Sequence, residues 1–156
     1  MGAIQTVVIR HPLENLAKCS LTPVEARPDT HHWLRFLMSG PGFSFDAEGY
    51  TELAVDAPPL TAADRARPIL LLDATWRLLP KVRSQVVGKT IKRSMPPGWQ
   101  TAYPRVSKDG SDPAGGLASI EALFVAQALM GYTDRTLLDA YYWRDAFFGL
   151  NADLIP

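Results

Sequence analysis

The chain has 156 residues, 47% of them hydrophobic and 21% charged, and its 16 basic side chains are balanced by 16 acidic ones. That length suits one domain, residues 1–156, with a closed core; the composition reads as ordinary globular protein, the sequence has no apolar span of about twenty residues, and the zero net charge argues against a protein that coats nucleic acid through bulk electrostatics. The single cysteine, Cys19, excludes an internal disulfide and, with only three histidines, a cysteine-rich zinc site, so the expectation is a soluble, cytoplasmic protein without a metal.

In chain order, the β-branched run "TVVIRHP" opens as a strand halted by Pro12. His32 to Met38 reads as a helix, and residues 40–68, rich in Gly, Pro and Asp, read as connection with "TELAVD" as the strand candidate. Gly40 and Gly42 form only a G-x-G fragment, with no third glycine and no buried strand before it, so the dinucleotide fingerprint is absent. The aliphatic run Ile69 to Leu72 suits a strand buried on both faces, as in a parallel sheet. Asp73, Ala74, Thr75 and Trp76 then emerge at its carboxyl end, where such sheets bind ligands.

A partly helical segment follows to about Gly88, with Pro80 tolerable only in its first turn. Gln100 to Val106 reads as a strand beside a Pro/Gly-rich loop. "LASIEALFVAQALMG" is apolar nearly all round and stops at Gly131, the pattern of a buried helix with a glycine cap. "TDRTLLDAYYWRDAFFGLN" starts on a Thr/Asp cap and ends near Gly149, which reads as a second, amphipathic helix. Strands early and helices late point to a three-layer α/β domain.

Zero net charge hides an asymmetry, because no acidic residue lies between Asp73 and Asp109. That stretch carries Arg77, Lys81, Arg83, Lys89, Lys92, Arg93, Arg105 and Lys108, enough to hold a phosphodiester backbone or, alternatively, to form a solvated surface. His11 and Cys19 could form a nucleophilic pair oriented by Asp73, against the simpler reading of a small buried thiol beside a strand end. Trp76 and Trp99 are core aromatics or, for Trp76 at the strand end, a platform for a ligand ring or sulfonium. Glu121 at the start of an apolar helix is favoured there by the helix dipole whatever else it does.

Together these pieces resemble the DTW-domain aminocarboxypropyltransferases, a superfamily with tRNA-uridine enzymes and small-subunit rRNA pseudouridine enzymes. "DATW" at 73–76 is similar to the family's D-x-[TS]-W, and "GLASIEAL" at 116–123 to its L-S-[TS]-x-E-A. "HPLENLAKCS" at 11–20 is similar to the H-P-x-E and K-[SC]-[ST] segments of the tRNA branch, and "YYWRDAFFGLN" at 141–151 to the F-x-W-G-x-x-F-x-x-N ending of the rRNA branch. The resemblance implies a SPOUT-like domain with a C-terminal trefoil knot. It would bind S-adenosylmethionine and transfer the 3-amino-3-carboxypropyl group to N3 of a uridine or pseudouridine in RNA, with rRNA favoured over tRNA.

Carried onto this chain, the resemblance implies that Ser20 and Ala74 to Thr75 hold the amino-acid end of the cofactor, with Trp76 packing its methyl group and sulfonium out of reach. Ala102, Tyr103, Pro104, Leu117, Ala118 and Ser119 would enclose the adenosine, and Glu121 would belong to the same site. Asp73 would orient the site or act as the base for the N3 proton. Lys81, Arg83, Lys89, Lys92, Arg93, Arg105 and Lys108 would hold RNA. The chain departs from the family pattern at Ala118, where serine is expected before Ser119, and at Arg144, where the rRNA branch has glycine. It also lacks the cysteine-rich zinc segment of many tRNA-branch members. The rival readings are a SPOUT-like RNA methyltransferase and a non-catalytic RNA-binding assembly factor.

Overall fold

The computed structural model describes residues 6–13, 20–75, 77–104 and 116–156. Its strands are β1 (Thr6–Arg10), β2 (Leu34–Met38), β3 (Phe45–Asp46), β4 (Thr51–Leu53), β5 (Ile69–Asp73), β6 (Val86–Val87) and β7 (Ile91–Arg93). Its α-helices are α1 (Thr22–Glu25), α2 (Leu79–Arg83), α3 (Ser119–Leu129) and α4 (Arg144–Leu150), with 3-10 turns at Pro28–Thr30, Ala62–Ala66 and Arg135–Leu138. Five strands form a parallel sheet in the order β2-β1-β5-β4-β7, while β3 and β6 pair separately, also in parallel. The fold is mixed α/β.

Central strands of a parallel sheet are covered on both faces, which is why β1 is buried at all five positions and why β5 reads as an unbroken aliphatic run. The alternation of side chains divides them. Val8 and Leu71 face a core built from Ile120, Leu123 and Phe124 of α3 with Phe147 of α4. Val7, Ile9 and Leu70 point the other way, against Val82 of α2 and Val86 of β6.

Helix α3 is buried from Ile120 through Ala128. Each large apolar side chain there contributes about 1.5–3 kcal/mol on burial, more than the roughly 1 kcal/mol lost by having Ala118 where a capping hydroxyl would sit. At its other end Gly131 takes φ +99°, and the N–H groups of Gly131 and Tyr132 donate to the carbonyls of Ala128 and Gln127. This is the glycine stop expected from "ALMG".

Three expectations are corrected. The segment expected as a helix, His32 to Met38, is strand β2 over Leu34–Met38, in parallel register with β1. Gln100 to Pro104 has no strand, because its backbone groups are taken by side chains, and Arg105 and Val106 lie outside the described residues. The single helix expected over Thr133 to Asn151 is a 3-10 turn capped by Asp134 followed, after a break, by α4. In that break Tyr141 reaches inward to Glu121. The short strands β3, β6 and β7 had no counterpart in the expectation.

Candidate functional site at the strand ends

After β1 the chain leaves toward β2, whereas after β5 it returns to the sheet as β7, beyond β4 on the opposite side. The carboxyl ends of β1 and β5 therefore flank a topological switch point, where open parallel sheets bind ligands. Arg10 and Asp73 are register partners at that point. Both are almost fully buried, and Arg10 Nε donates to Asp73 Oδ2 at 3.1 Å. A second guanidinium nitrogen, Nη1, donates to Glu25 Oε1 at 2.8 Å, and the group lies 4.9 Å from the centre of the Phe36 ring. A buried cation is tolerated only when paired this thoroughly.

The other Asp73 oxygen, Oδ1, accepts from Ser119 Oγ at 2.9 Å, which ties the end of β5 to the first residue of α3. The Ser20 hydroxyl accepts from the Ile120 N–H at 3.1 Å. Ser20 thus supplies from a distant segment the cap that Ala118 cannot. Glu121 completes the local half of the arrangement, its Oε1 accepting from the Ala118 N–H at 2.8 Å. His11 lies beside the pair, its N–H donating to the Asp73 carbonyl, and its Nδ1 accepts from the Leu13 N–H at 3.0 Å. In the neutral ring the proton therefore sits on Nε2.

Glu121 is fully buried and also binds the 100–104 loop. It accepts from Thr101 Oγ1 at 2.6 Å, from the Ala102 N–H at 2.9 Å and from the Tyr141 hydroxyl at 3.2 Å. Thr101 Oγ1 in turn accepts from the Tyr103 N–H at 3.0 Å. At the head of this loop Asn151 pairs with both backbone groups of Gln100. Thus four separate segments, at Ser20, Asp73–Thr75, Thr101–Tyr103 and Leu117–Glu121, meet around the N-terminus of α3.

Of the site residues expected from sequence, Ser20, Asp73, Ala118, Ser119 and Glu121 are joined directly or through shared partners, and Ala102 and Tyr103 by the loop they share. Ala74 and Thr75 continue from Asp73, with Thr75 exposed, and Leu117 and Pro104 flank the bonded residues. Trp76 lies outside the described residues, as do Cys19, Arg105 and Lys108. Sequence reasoning missed Arg10, Thr101, Tyr141 and Asn151. Asn151 had a signal, as the last residue of the C-terminal motif, and Arg10 had one as a charge inside a β-branched run.

The basic stretch divides in two. Lys81, Lys89 and Lys92 are exposed. Arg83 Nε sits 2.9 Å from Glu52 Oε2 and Arg93 Nε 3.2 Å from Asp64 Oδ1, and both carboxylates are buried. Asp64 is also paired with Arg67. Arg83 and Arg93 thus serve as counter-ions within the domain.

No family model matches the chain, and no curated protein matches it. Among solved structures it is similar to the SAM-dependent rRNA:acp-transferase Tsr3 from Vulcanisaeta distributa, with a TM-score of 0.67 and 22% identity over 96% of this chain and 80% of that one. The likeness is one of fold. Among the described residues no helix is long and apolar enough to cross a membrane, and no group of three or more His, Cys, Asp or Glu is placed to hold a metal ion.

Proposed function

We propose that this chain is an S-adenosylmethionine-dependent enzyme that transfers the 3-amino-3-carboxypropyl group to N3 of a uridine or pseudouridine in RNA, with rRNA favoured over tRNA. The observation that carries the reading is the meeting of Ser20, Asp73, Ala118–Ser119 and Thr101–Ala102 around the start of α3 at the switch point of the sheet. The fold likeness to an rRNA transferase supports it. The reading includes a single SPOUT-like domain over residues 1–156 with a C-terminal knot, acting in the cytoplasm.

The residues present fit the cofactor. The two loops that would enclose adenosine are joined by one carboxylate, Glu121, and Asp73 at the end of β5 is tied to the second of them through Ser119. When bound, S-adenosylmethionine supplies an aminocarboxypropyl carbon activated by its sulfonium, and displacement there leaves 5′-methylthioadenosine. Ser20 with Ala74 and Thr75 would hold the amino-acid end, and Trp76 would keep the methyl group from the base. Because the N–H groups of Ala102 and Ala118 are already given to Glu121, and the Ala118 carbonyl accepts from the Ala122 N–H, contacts to adenosine fall to the Ala102 carbonyl and to Tyr103, Pro104 and Leu117. Asp73 has one oxygen on Arg10 and the other on Ser119, which favours an orienting role over acceptance of the N3 proton. Lys81, Lys89 and Lys92, with Arg105 and Lys108, would hold phosphates.

The test is to incubate the protein with S-adenosylmethionine and separate rRNA and tRNA fractions, followed by mass spectrometry of nucleosides and of the spent cofactor. Aminocarboxypropylated uridine or pseudouridine with 5′-methylthioadenosine is expected. S-adenosylhomocysteine with a methylated base would make the protein a methyltransferase, and RNA binding without cofactor binding would make it an assembly factor.

A further inference from the structure

Arg10 has no counterpart in any motif of the chain, yet it is the most thoroughly enclosed cation among the described residues, 2% exposed at the carboxyl end of the fully buried strand β1. A guanidinium in that position costs more to desolvate than a leucine would contribute, so simple filling of space does not account for it. Its partners among the described residues include side chains from three elements. Asp73 ends β5, Glu25 ends α1, and Phe36 lies on β2. Of the two carboxylates, Glu25 has a side chain 42% exposed and Asp73 one only 4% exposed. The outer partner can find water, so the guanidinium bears chiefly on the inner one.

A carboxylate at a strand end has two free rotations, and a hydroxyl such as Ser119 alone fixes only one oxygen. Arg10 fixes the other. Its planar fork spans the two acids in a fixed direction, Nε to Asp73 and Nη1 to Glu25, which a lysine ammonium would not reproduce.

We propose that Arg10 is the positioning residue of this site: it acts through Asp73, holding that carboxylate against Ser119 at the start of α3, and does not itself touch substrate or cofactor. This rests on the transferase reading of the site, which sets what Asp73 is positioned for. Residues that act as one unit lose function together and not in multiples.

The experiment is a double-mutant cycle with Arg10→Gln, Asp73→Asn and both, in which kcat and KM for S-adenosylmethionine are measured separately on the RNA substrate. Arg10→Lys is carried alongside as the charge-retaining variant. Arg10→Gln should lower kcat on the order of 100-fold, the scale of a misplaced group, with a smaller change in KM, and the double variant should be no slower than the worse single variant. Arg10→Lys should recover only part of the loss. Multiplying losses in the double variant, full recovery by lysine, or a wild-type kcat in Arg10→Gln would each overturn the role. Calorimetric titration of the wild-type protein with S-adenosylmethionine separates the two readings, since absence of binding removes the transferase reading alone. In that case the crystal structure of Arg10→Lys decides: an Asp73 carboxylate turned away from Ser119 upholds the positioning role, and one still bonded to Ser119 ends it.

Discussion

Asn151 and Gln100, 51 residues apart, hold each other by two reciprocal hydrogen bonds: the Gln100 N–H donates to Asn151 Oδ1 at 2.7 Å, and Asn151 Nδ2 donates to the Gln100 carbonyl at 2.9 Å. The same amide nitrogen donates to the Phe147 carbonyl at 2.8 Å. Asn151→Ala leaves three backbone groups without these partners in a site only 1% exposed, a cost of about 2–4 kcal/mol. Urea unfolding should show that loss, and calorimetry should show weaker S-adenosylmethionine binding, because the 100–104 loop loses its anchor. Unchanged cofactor affinity in a destabilised but folded variant would separate the anchor from the site.

Glu121 accepts from two backbone N–H groups and two hydroxyls. In Glu121→Gln one acceptor becomes a donor facing donors, so the variant should lose about 2 kcal/mol. Thr101→Val removes one hydroxyl from the network and should lose about 1 kcal/mol. Equal midpoints for Glu121→Gln and wild type in urea would show that the carboxylate's charge is dispensable.

The basic stretch should behave as two populations. Reversing charge at Lys81, Lys89 and Lys92 should lower the slope of log affinity for RNA against log salt with little change in stability. Arg83→Gln and Arg93→Gln should instead lower the melting temperature, because Glu52 and Asp64 are left buried with a partner removed, at a cost of about 2 kcal/mol each. A salt slope unmoved by the lysine reversals would place the RNA elsewhere.

The hydrogen bonds from Arg27 hold the Asp29 carboxyl below its ordinary 3.8, and the same pair raises Arg27. Arg27 also donates to the carbonyl and hydroxyl of Thr136, fastening the turn after α1 to the one after α3. A carboxyl lowered in the folded state contributes stability that is present above its unfolded value and lost as pH falls through the folded one. The gap between wild type and Asp29→Asn in urea midpoint should therefore be full at neutral pH and close below 3.8. A gap that persists into acid would assign the effect to shape and not to charge.

The buried strand β5 and the helix α3 were legible because burial on both faces and an apolar cylinder leave patterns that local sequence carries. β2 was misread because "WLRFLM" is short and suits either period; pairing with β1 decides it, and pairing is not local. The 100–104 loop was misread for a related reason. Its N–H groups are satisfied by Asn151, Glu121 and Thr101, so an extended-looking segment needs no neighbouring strand. In the site, Asp73, Ser119 and Ser20 could be anticipated from motifs, whereas Arg10, legible only as a charge inside a β-branched run, is joined to Asp73 once β1 and β5 lie side by side.

The cap of α3 has a consequence for how the chain folds. The hydroxyl that closes the helix's first turn comes from Ser20, 100 residues earlier, and the buried Gln127 amide is matched by Thr6, 121 residues earlier. In a sheet whose described strands all pair in parallel there are no hairpins to form first, so these closures carry a large loop entropy and are made late. Until the beginning of the chain has docked, α3 is a strongly apolar helix with an open first turn. The protein should fold slowly for its size, and in the interval before docking α3 is the surface most exposed to association with other chains.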